Sequence, residues 1–449
     1  MCPFPLTKGF SVQHATTLVA AAPAFKLDTG SNAWILASAA LVMLMTPGLA
    51  FFYGGLVRAK NVLNMLMMNF ICLAIVGVLW TFYGFSLSFG ESRWGGLIGS
   101  TKIFYGLGNP EVLGGIWNAA GVTTLTFAMF QLMFAIITPA LISGAIADRV
   151  KFTGWAVFVA LWVTLVYFPV ANWVFGTGWI FNKLRAEDFA GGTAVHIDAG
   201  AAALALVFVL GKRAGWRKDP MRPHNVPFVL LGASLLWFGW YGFNAGSEFR
   251  VDGITAVAFI NTDLAASFAA ISWLCVDWMV GKKPKFLGLL TGAVAGLATI
   301  TPAAGYVSPA TAAIIGLTAG IVCYYACALK NKLRWDDALD VWGVHGVGGF
   351  LGIVMLGVFA STAWNPAANG GVNGLLAGDS SFFLKQLAAG LFSSVWAFVF
   401  TYGMLWIIDR ITVVRVEDAH EETGLDEAIH GETAYVEVDG AVIQPVQPL

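Results

Sequence analysis

Two histidines stand where almost no other side chain can do chemistry: His196 in "FAGGTAVHIDAG" and His345 in "VWGVHGVGGFLGIVMLGVF". The chain of 449 residues holds only six histidines, so two in glycine-rich, otherwise apolar runs need a chemical reason. A neutral imidazole offers one donor nitrogen and one acceptor nitrogen. Two such rings brought together could share a hydrogen bond, meet a small polar molecule edge-on, or pass a proton. A metal site is the competing chemistry, and it needs more ligands than two imidazoles. Asp198 lies two residues from His196 and, on a helix, points to a nearly opposite face. Cys2, Cys72, Cys275, Cys323 and Cys327 show no metal-ligand spacing. No metal is therefore expected. Asp198 and Asp263 are unusual acids for apolar segments, and pairing with a neighbouring helix or subunit is the simplest reading of both.

The elements that must hold these residues follow from composition. Hydrophobic residues make up 58% of the chain and charged residues 11%, against about a quarter charged in an ordinary soluble domain. The charges fall in short clusters separated by apolar stretches of about twenty residues, the length a helix needs to cross a hydrocarbon core of about 30 Å. The chain reads as an all-α polytopic membrane protein. Eleven transmembrane helices are expected near 33–53, 62–89, 116–147, 153–175, 189–211, 225–248, 254–280, 286–302, 309–329, 338–361 and 382–409. Seventeen of the 25 basic residues, from Arg58 to Arg415, fall in loops on one side, which the positive-inside rule assigns to the cytoplasm. The N-terminus is then outside and the C-terminus cytoplasmic, in a multi-pass cell (inner or plasma) membrane protein. Residues 1–30 read as an outer segment whose run "TTLVAAAPAF" is a weak signal-peptide pattern, 31–410 as the membrane domain, and 411–449 as a charged tail. The net charge of -1 excludes a nucleic-acid partner on electrostatic grounds.

Helices 1–5 and 6–10 would form two five-helix halves of opposite orientation, with helix 11 left over. Inverted repeats of this kind are frequent in transporters. His196 and His345 are each the only histidine of their helix, the fifth and the tenth, and each lies in its first half. A pseudo-two-fold axis would bring them together near the midplane.

Five stretches carry a resemblance: "PGLAFFYGGLVRAKNVLNM" from Pro47, "DFAGGTAVHIDAG" from Asp188, "GWYGFNAGS" from Gly239, "TPAAGYV" from Thr301 and "DDALDVWGVHGVGG" from Asp336. With "GLDEAIHGETAY" from Gly424 in the tail, the chain resembles the ammonium transporter (Amt/Mep/Rh) family, its bacterial-type Amt branch in particular. The resemblance implies a homotrimer, without cofactor or enzymatic activity, with one narrow hydrophobic pore per subunit. It places His196 and His345 as a twin-histidine pair in mid-pore, beside Trp240, and Phe134 and Phe243 as stacked rings closing the outer mouth. It places Phe130, Phe175, Ser247 and Asp188 at an outer ammonium site. Phe175 departs from the family's tryptophan there, which weakens cation–π attraction. Trp173 and Trp179 are the nearby rings that could stand in.

Asp336, Asp337 and Asp340 open helix 10, where acids stabilise a helix N-terminus. The resemblance joins them, with Gly424, to a contact between pore helices and tail, and it implies a PII-type signalling partner. The function expected is transport of ammonium, with methylammonium as an analogue, by deprotonation and passage of ammonia, the proton moving through a separate relay. The rival expectation is an ammonium sensor that signals through its tail with little or no transport.

Overall fold

Side-chain caps decide where the apolar runs become helices. Asp28, Thr123, Asn225, Ser308 and Asp379 each accept a hydrogen bond from the backbone N–H three residues on, and Asp252 forms a reciprocal capping box with Thr255. The computed structural model describes residues 25–102, 104–116, 119–366 and 371–435. Cys2, most of the "TTLVAAAPAF" run and the last part of the tail lie outside the described residues. Among the described residues, ten helices are long and apolar enough to cross a membrane. They are α1 (Thr29–Leu56), α2 (Ala59–Phe89), α3 (Thr124–Ile146), α4 (Phe152–Val174), α5 (Gly192–Leu210), α6 (Val226–Glu248), α7 (Gly253–Gly281), α9 (Pro309–Lys332), α10 (Trp342–Phe359) and α11 (Ser380–Ile411). Between α7 and α9 lies a shorter apolar helix, α8 (Phe286–Ile300). The chain is a mostly helical, polytopic membrane fold.

Two helix ends differ from expectation for local reasons. The third helix starts at Thr124 rather than 116, because Ala119–Thr123 pairs antiparallel with Gly115–Ile116 and Thr123 then caps α3. The eighth ends at Ile300 rather than 302; Thr301 is still helical in backbone, but Pro302 has no N–H to carry the hydrogen-bond ladder further. Four long helices widen into π-helical turns: Trp80–Gly84 in α2, Val163–Tyr167 in α4, Gly192–Ile197 in α5 and Trp342–Gly346 in α10. Such turns concentrate at functional sites. The last two carry His196 and His345.

Helix packing pairs α1 with α6, α5 with α10, α1 with α3 and α6 with α8, so a contact in the first half recurs five helices later. Glycine sets the closest of these approaches. A Cβ at Gly200 of α5 would lie 2.1 Å from Gly346 Cα of α10, and one at Gly349 would lie 2.7 Å from His196 Cβ. Small residues at such crossings are how membrane helices pack tightly.

The two intramembrane acids part company. Asp263 on α7 accepts a hydrogen bond from Tyr241 on α6 at 2.6 Å, the helix pairing expected of it. Asp198 is fully buried, and neither carboxyl oxygen has a hydrogen-bond partner among the described residues. Among the described residues, none of the helices packed on α5 brings a donor to it, so no pairing with a neighbouring helix is seen.

One end of the bundle is tied by buried charge. Arg149, 0% exposed, donates to the Ala145 and Asp336 carbonyls and pairs with the Asp336 carboxylate at 3.4 Å. Arg213 bonds both Asp336 oxygens and pairs with Asp148, which also takes Arg58 at 3.2 Å. Burial pushes the Asp336 carboxyl up, but the hydrogen bonds and charge of Arg213 and the charge of Arg149 outweigh it and hold it below its ordinary value. A carboxyl depressed in this way adds stability that is present above its unfolded value, about 3.9, and is lost as pH falls through the folded value. Asp336→Asn should therefore cost about 3–5 kcal/mol at neutral pH, since Arg149 keeps no counter-charge, and the gap should close below about pH 4. Thermal unfolding in detergent across pH checks this. Asp198→Ala should act oppositely, raising stability by about 1–3 kcal/mol by removing an unpaired buried polar group. An unchanged or lower melting point in that variant would show that the carboxyl has a partner.

Candidate functional site

The π-turns of α5 and α10 face each other and bring the imidazoles into contact. His345 Nδ1 lies 3.2 Å from His196 Nδ1, with ring centroids 5.2 Å apart and planes 21° from parallel. One shared hydrogen needs one ring to donate through Nδ1 and the other to accept there, so the two rings hold opposite tautomers. His196 Nε2 is buried without a partner among the described residues, which leaves that ring edge free for a visiting molecule.

Aromatic rings stack in one direction from this pair. The His196 ring lies 5.5 Å from Trp240 and 6.1 Å from Phe243, nearly parallel to both. Trp240 is fixed by donating Nε1–H to Thr301 Oγ1 at 2.9 Å. Phe243 covers Phe134 at 4.2 Å, and Phe134 meets Phe130 edge-on at 4.9 Å. Phe130, Phe134 and Phe243 are each at most 1% exposed, so the rings fill the space they share. Between ring stack and histidines is a cavity of about 10 Å³, lined by His196, His345, Trp240, Phe243 and aliphatic side chains such as Ile137 and Leu236. That is the room one water-sized molecule needs. On the other side of His345 a recess of about 290 Å³ opens toward Arg58, Asp148, Arg213 and Asp340.

Beyond the rings, Ser247 donates its hydroxyl to the Phe243 carbonyl at 2.8 Å, which leaves its lone pairs available. Asp188 folds under the start of α5 and accepts from the N–H groups of Gly191, Gly192 and Thr193 at 2.7–2.8 Å. This works because Gly191 takes φ 115°, a left-handed backbone that suits glycine. The Phe175 ring tip lies 3.6 Å from where a Cβ on Gly191 would sit, so it stands beside the turn that Asp188 holds. Of the stand-in tryptophans, Trp173 is fully buried with Nε1 bonded to the Leu97 carbonyl, and both it and Trp179 meet Phe392 of α11 edge-on.

The three acids before α10 divide their work. Asp337 accepts from Val341 N and Trp342 N and caps α10, Asp336 holds Arg149 and Arg213, and Asp340 pairs with Lys330 at 2.8 Å. They reach the tail through intermediates rather than directly. Arg213 meets Asp148, Asn61 donates to Asp148 at 2.5 Å, and Leu425 N donates to Asn61 Oδ1 at 2.8 Å. Asp426 caps α2 by accepting from Leu63 N and Asn64 N, and Glu421 in the short tail helix α12 (Asp418–Thr423) accepts from Ala214 N. Gly424 has φ 119° and packs so closely on Lys60 that a Cβ would lie 2.6 Å from it. Reading residues alone missed Thr301, Asn61 and Asp148. Only Thr301, a hydroxyl just before Pro302, carried a local signal. Among the described residues, no three His, Cys, Asp or Glu side chains group as metal ligands.

The chain matches the Ammonium Transporter Family over residues 33–435. It is 47% identical over 444 residues to an ammonium transporter of Mycobacterium tuberculosis, covering 93% of each chain. It is 45% identical over 409 residues to ammonium transporter Amt1 of Archaeoglobus fulgidus, covering 91% of this chain and all of that one. Its fold superposes on the crystal structure of Saccharomyces cerevisiae Mep2 with a TM-score of 0.82, at 33% identity and 94% coverage of both chains. With twin imidazoles under stacked phenylalanines and a relationship that spans nearly its whole length, the chain belongs to the ammonium transporter family.

Proposed function

We propose that this chain moves ammonium across a membrane by taking it apart: the cation is recruited at one mouth, gives up its proton, and crosses as ammonia. The observation that carries this reading is the His196–His345 contact at 3.2 Å directly beneath the Phe134–Phe243 stack, with room for a single small molecule between. Stripping water from a small cation in a low-dielectric passage has an idealised cost of order 20 kcal/mol. Neutral ammonia avoids that cost. Potassium has no proton to lose and is refused at the same place.

In this reading Phe130, Phe175 and Ser247 receive ammonium, Asp188 orders the mouth, and Phe134 and Phe243 exclude water. The paired imidazoles, seated on Trp240, meet ammonia through their ring edges and relay the proton separately. The recess below His345 is the exit.

The finer architecture belongs to the same proposal. Helix α8 completes eleven spans, α1–α5 and α6–α10 form inverted repeats, and the recurring pattern of helix contacts supports that pairing. The basic, tail-bearing end faces the cytoplasm and the N-terminus faces outside. Residues 31–410 form the transport domain of a homotrimer, and 411–449 form a regulatory tail open to a PII-class partner. The sensor alternative is not favoured, since the curated relatives are named as transporters.

An ammonium step on a supported membrane carrying the protein should give a sustained current, where a sensor gives only a brief charge displacement. Replacing His196 and His345 together with alanine should cut methylammonium uptake roughly 100-fold, the low end of what positioned acid–base groups contribute. Uptake equal to wild type would remove the relay. Phe175→Trp should lower the half-saturating ammonium concentration about 2–5-fold, because tryptophan is the stronger cation–π partner.

A further inference from the structure

The outer ammonium site lacks the family's tryptophan, and the turn that follows Ser247 holds two groups that no part of the mechanism above uses. Helix α6 ends in a tight turn over Gly246–Glu248, and Phe249 follows in the left-handed region at φ 57°, ψ 15°. That backbone is unusual for a bulky aromatic residue and points to a constraint on where the ring must lie. The Phe249 N–H is held by the Gly246 carbonyl at 3.0 Å, and the ring turns back onto α3. It meets Phe130 edge-on at 5.5 Å and Phe127 at 4.8 Å. Phe249, Phe130, Phe134 and Phe243 thus form one continuous run of rings. Phe127 and Phe130 are fully buried, whereas Phe249 is only partly so.

Glu248 stands between Ser247 and Phe249 in the chain, at the end of the turn. Its side chain is 11% exposed, it has no hydrogen bond among the described residues, and its one ion pair, to Arg250, is long at 3.7 Å. The neighbouring acids are otherwise committed. Glu187 accepts from the Tyr306 hydroxyl at 2.9 Å, and Asp188 accepts from three backbone N–H groups. Withdrawal from water makes an ionised carboxyl costly by itself and makes a cation placed beside it correspondingly more favourable than on an open surface. Beside it, a ring edge-on to Phe130 leaves a face for a cation–π contact.

We infer that Glu248 and Phe249 are specificity-determining residues of the outer site, forming a carboxylate-and-ring wall for small monovalent ammonium-type cations that offsets Phe175. This rests on the transport reading above for the identity of the cation. Glu248→Gln should raise the half-saturating ammonium concentration 3–10-fold, with the saturating current reduced less than twofold. The difference should shrink as ionic strength rises, a dependence that a purely structural role would not produce. Phe249→Leu should raise half-saturation 2–5-fold, and Phe249→Tyr should restore it.

Calorimetric titration of the full chain in detergent with methylammonium, run in parallel, separates the two readings. A wild-type protein that binds methylammonium without sustained current fails the transport proposal, and the calorimetry of the variants still decides this one. Wild-type affinity in both Glu248→Gln and Phe249→Leu, or no methylammonium binding by the wild type, overturns it.

Discussion

The close crossing of α5 and α10 is the constraint on which the rest of the structure depends. A Cβ at Gly200 would lie 2.1 Å from the backbone of Gly346, so any side chain there would push the two helices apart. Their imidazoles meet at 3.2 Å, a distance that tolerates little movement before the hydrogen bond is lost. Lipid supplies no hydrophobic force to press helices together, so close backbone packing must do so. Glycine at 200, 346 and 349 makes that approach available, and the small cavity beside the histidines follows from it.

From this crossing the chemistry grades outward in both directions. Toward one mouth the surroundings change from imidazole to stacked phenylalanine and then to a hydroxyl, a capped carboxylate and the Glu248 side chain. Toward the other they open into a recess bounded by buried ion pairs. Under the proposed function these are the two mouths of a passage, with charge at each end and only rings and imidazoles between, as a neutral molecule would need. At the tail end the same residues serve as walls and as structural ties. Asp148 lines the recess, receives Arg58 and Arg213, and through Asn61 meets the backbone of the tail. The tail is therefore packed into the floor of the bundle, and removing a single partner from that network strands a charge that burial makes expensive.

The centre of the candidate site was legible in the sequence. His196 and His345 stood out because imidazole is rare in apolar runs, and the family resemblance implied Phe134, Phe243, Phe130 and Ser247 as their companions. Periodicity could not reveal the wide turns at Gly192–Ile197 and Trp342–Gly346, since a π-turn has the composition of the helix around it. Nor could it show that Asp263 finds Tyr241 while Asp198 finds no donor, because both acids stand in equally apolar sequence. Trp173 and Trp179 lay close enough to Phe175 in sequence to replace it, yet they pack on α11 instead.

By itself the sequence determined the class of protein, the approximate spans, the family and the two imidazoles, because these follow from residue type, charge spacing and motif. What only the tertiary structure decided was contact across the chain: which ring faces which, how Asp336 ties Arg149 to Arg213, and how the tail reaches Asn61. Those contacts join residues as many as 364 positions apart. They depend on helix crossing and on side-chain direction, which glycine content suggests but does not specify. The physical reason is that hydropathy is a property of each segment alone, whereas a pore is made of the surfaces that several segments share.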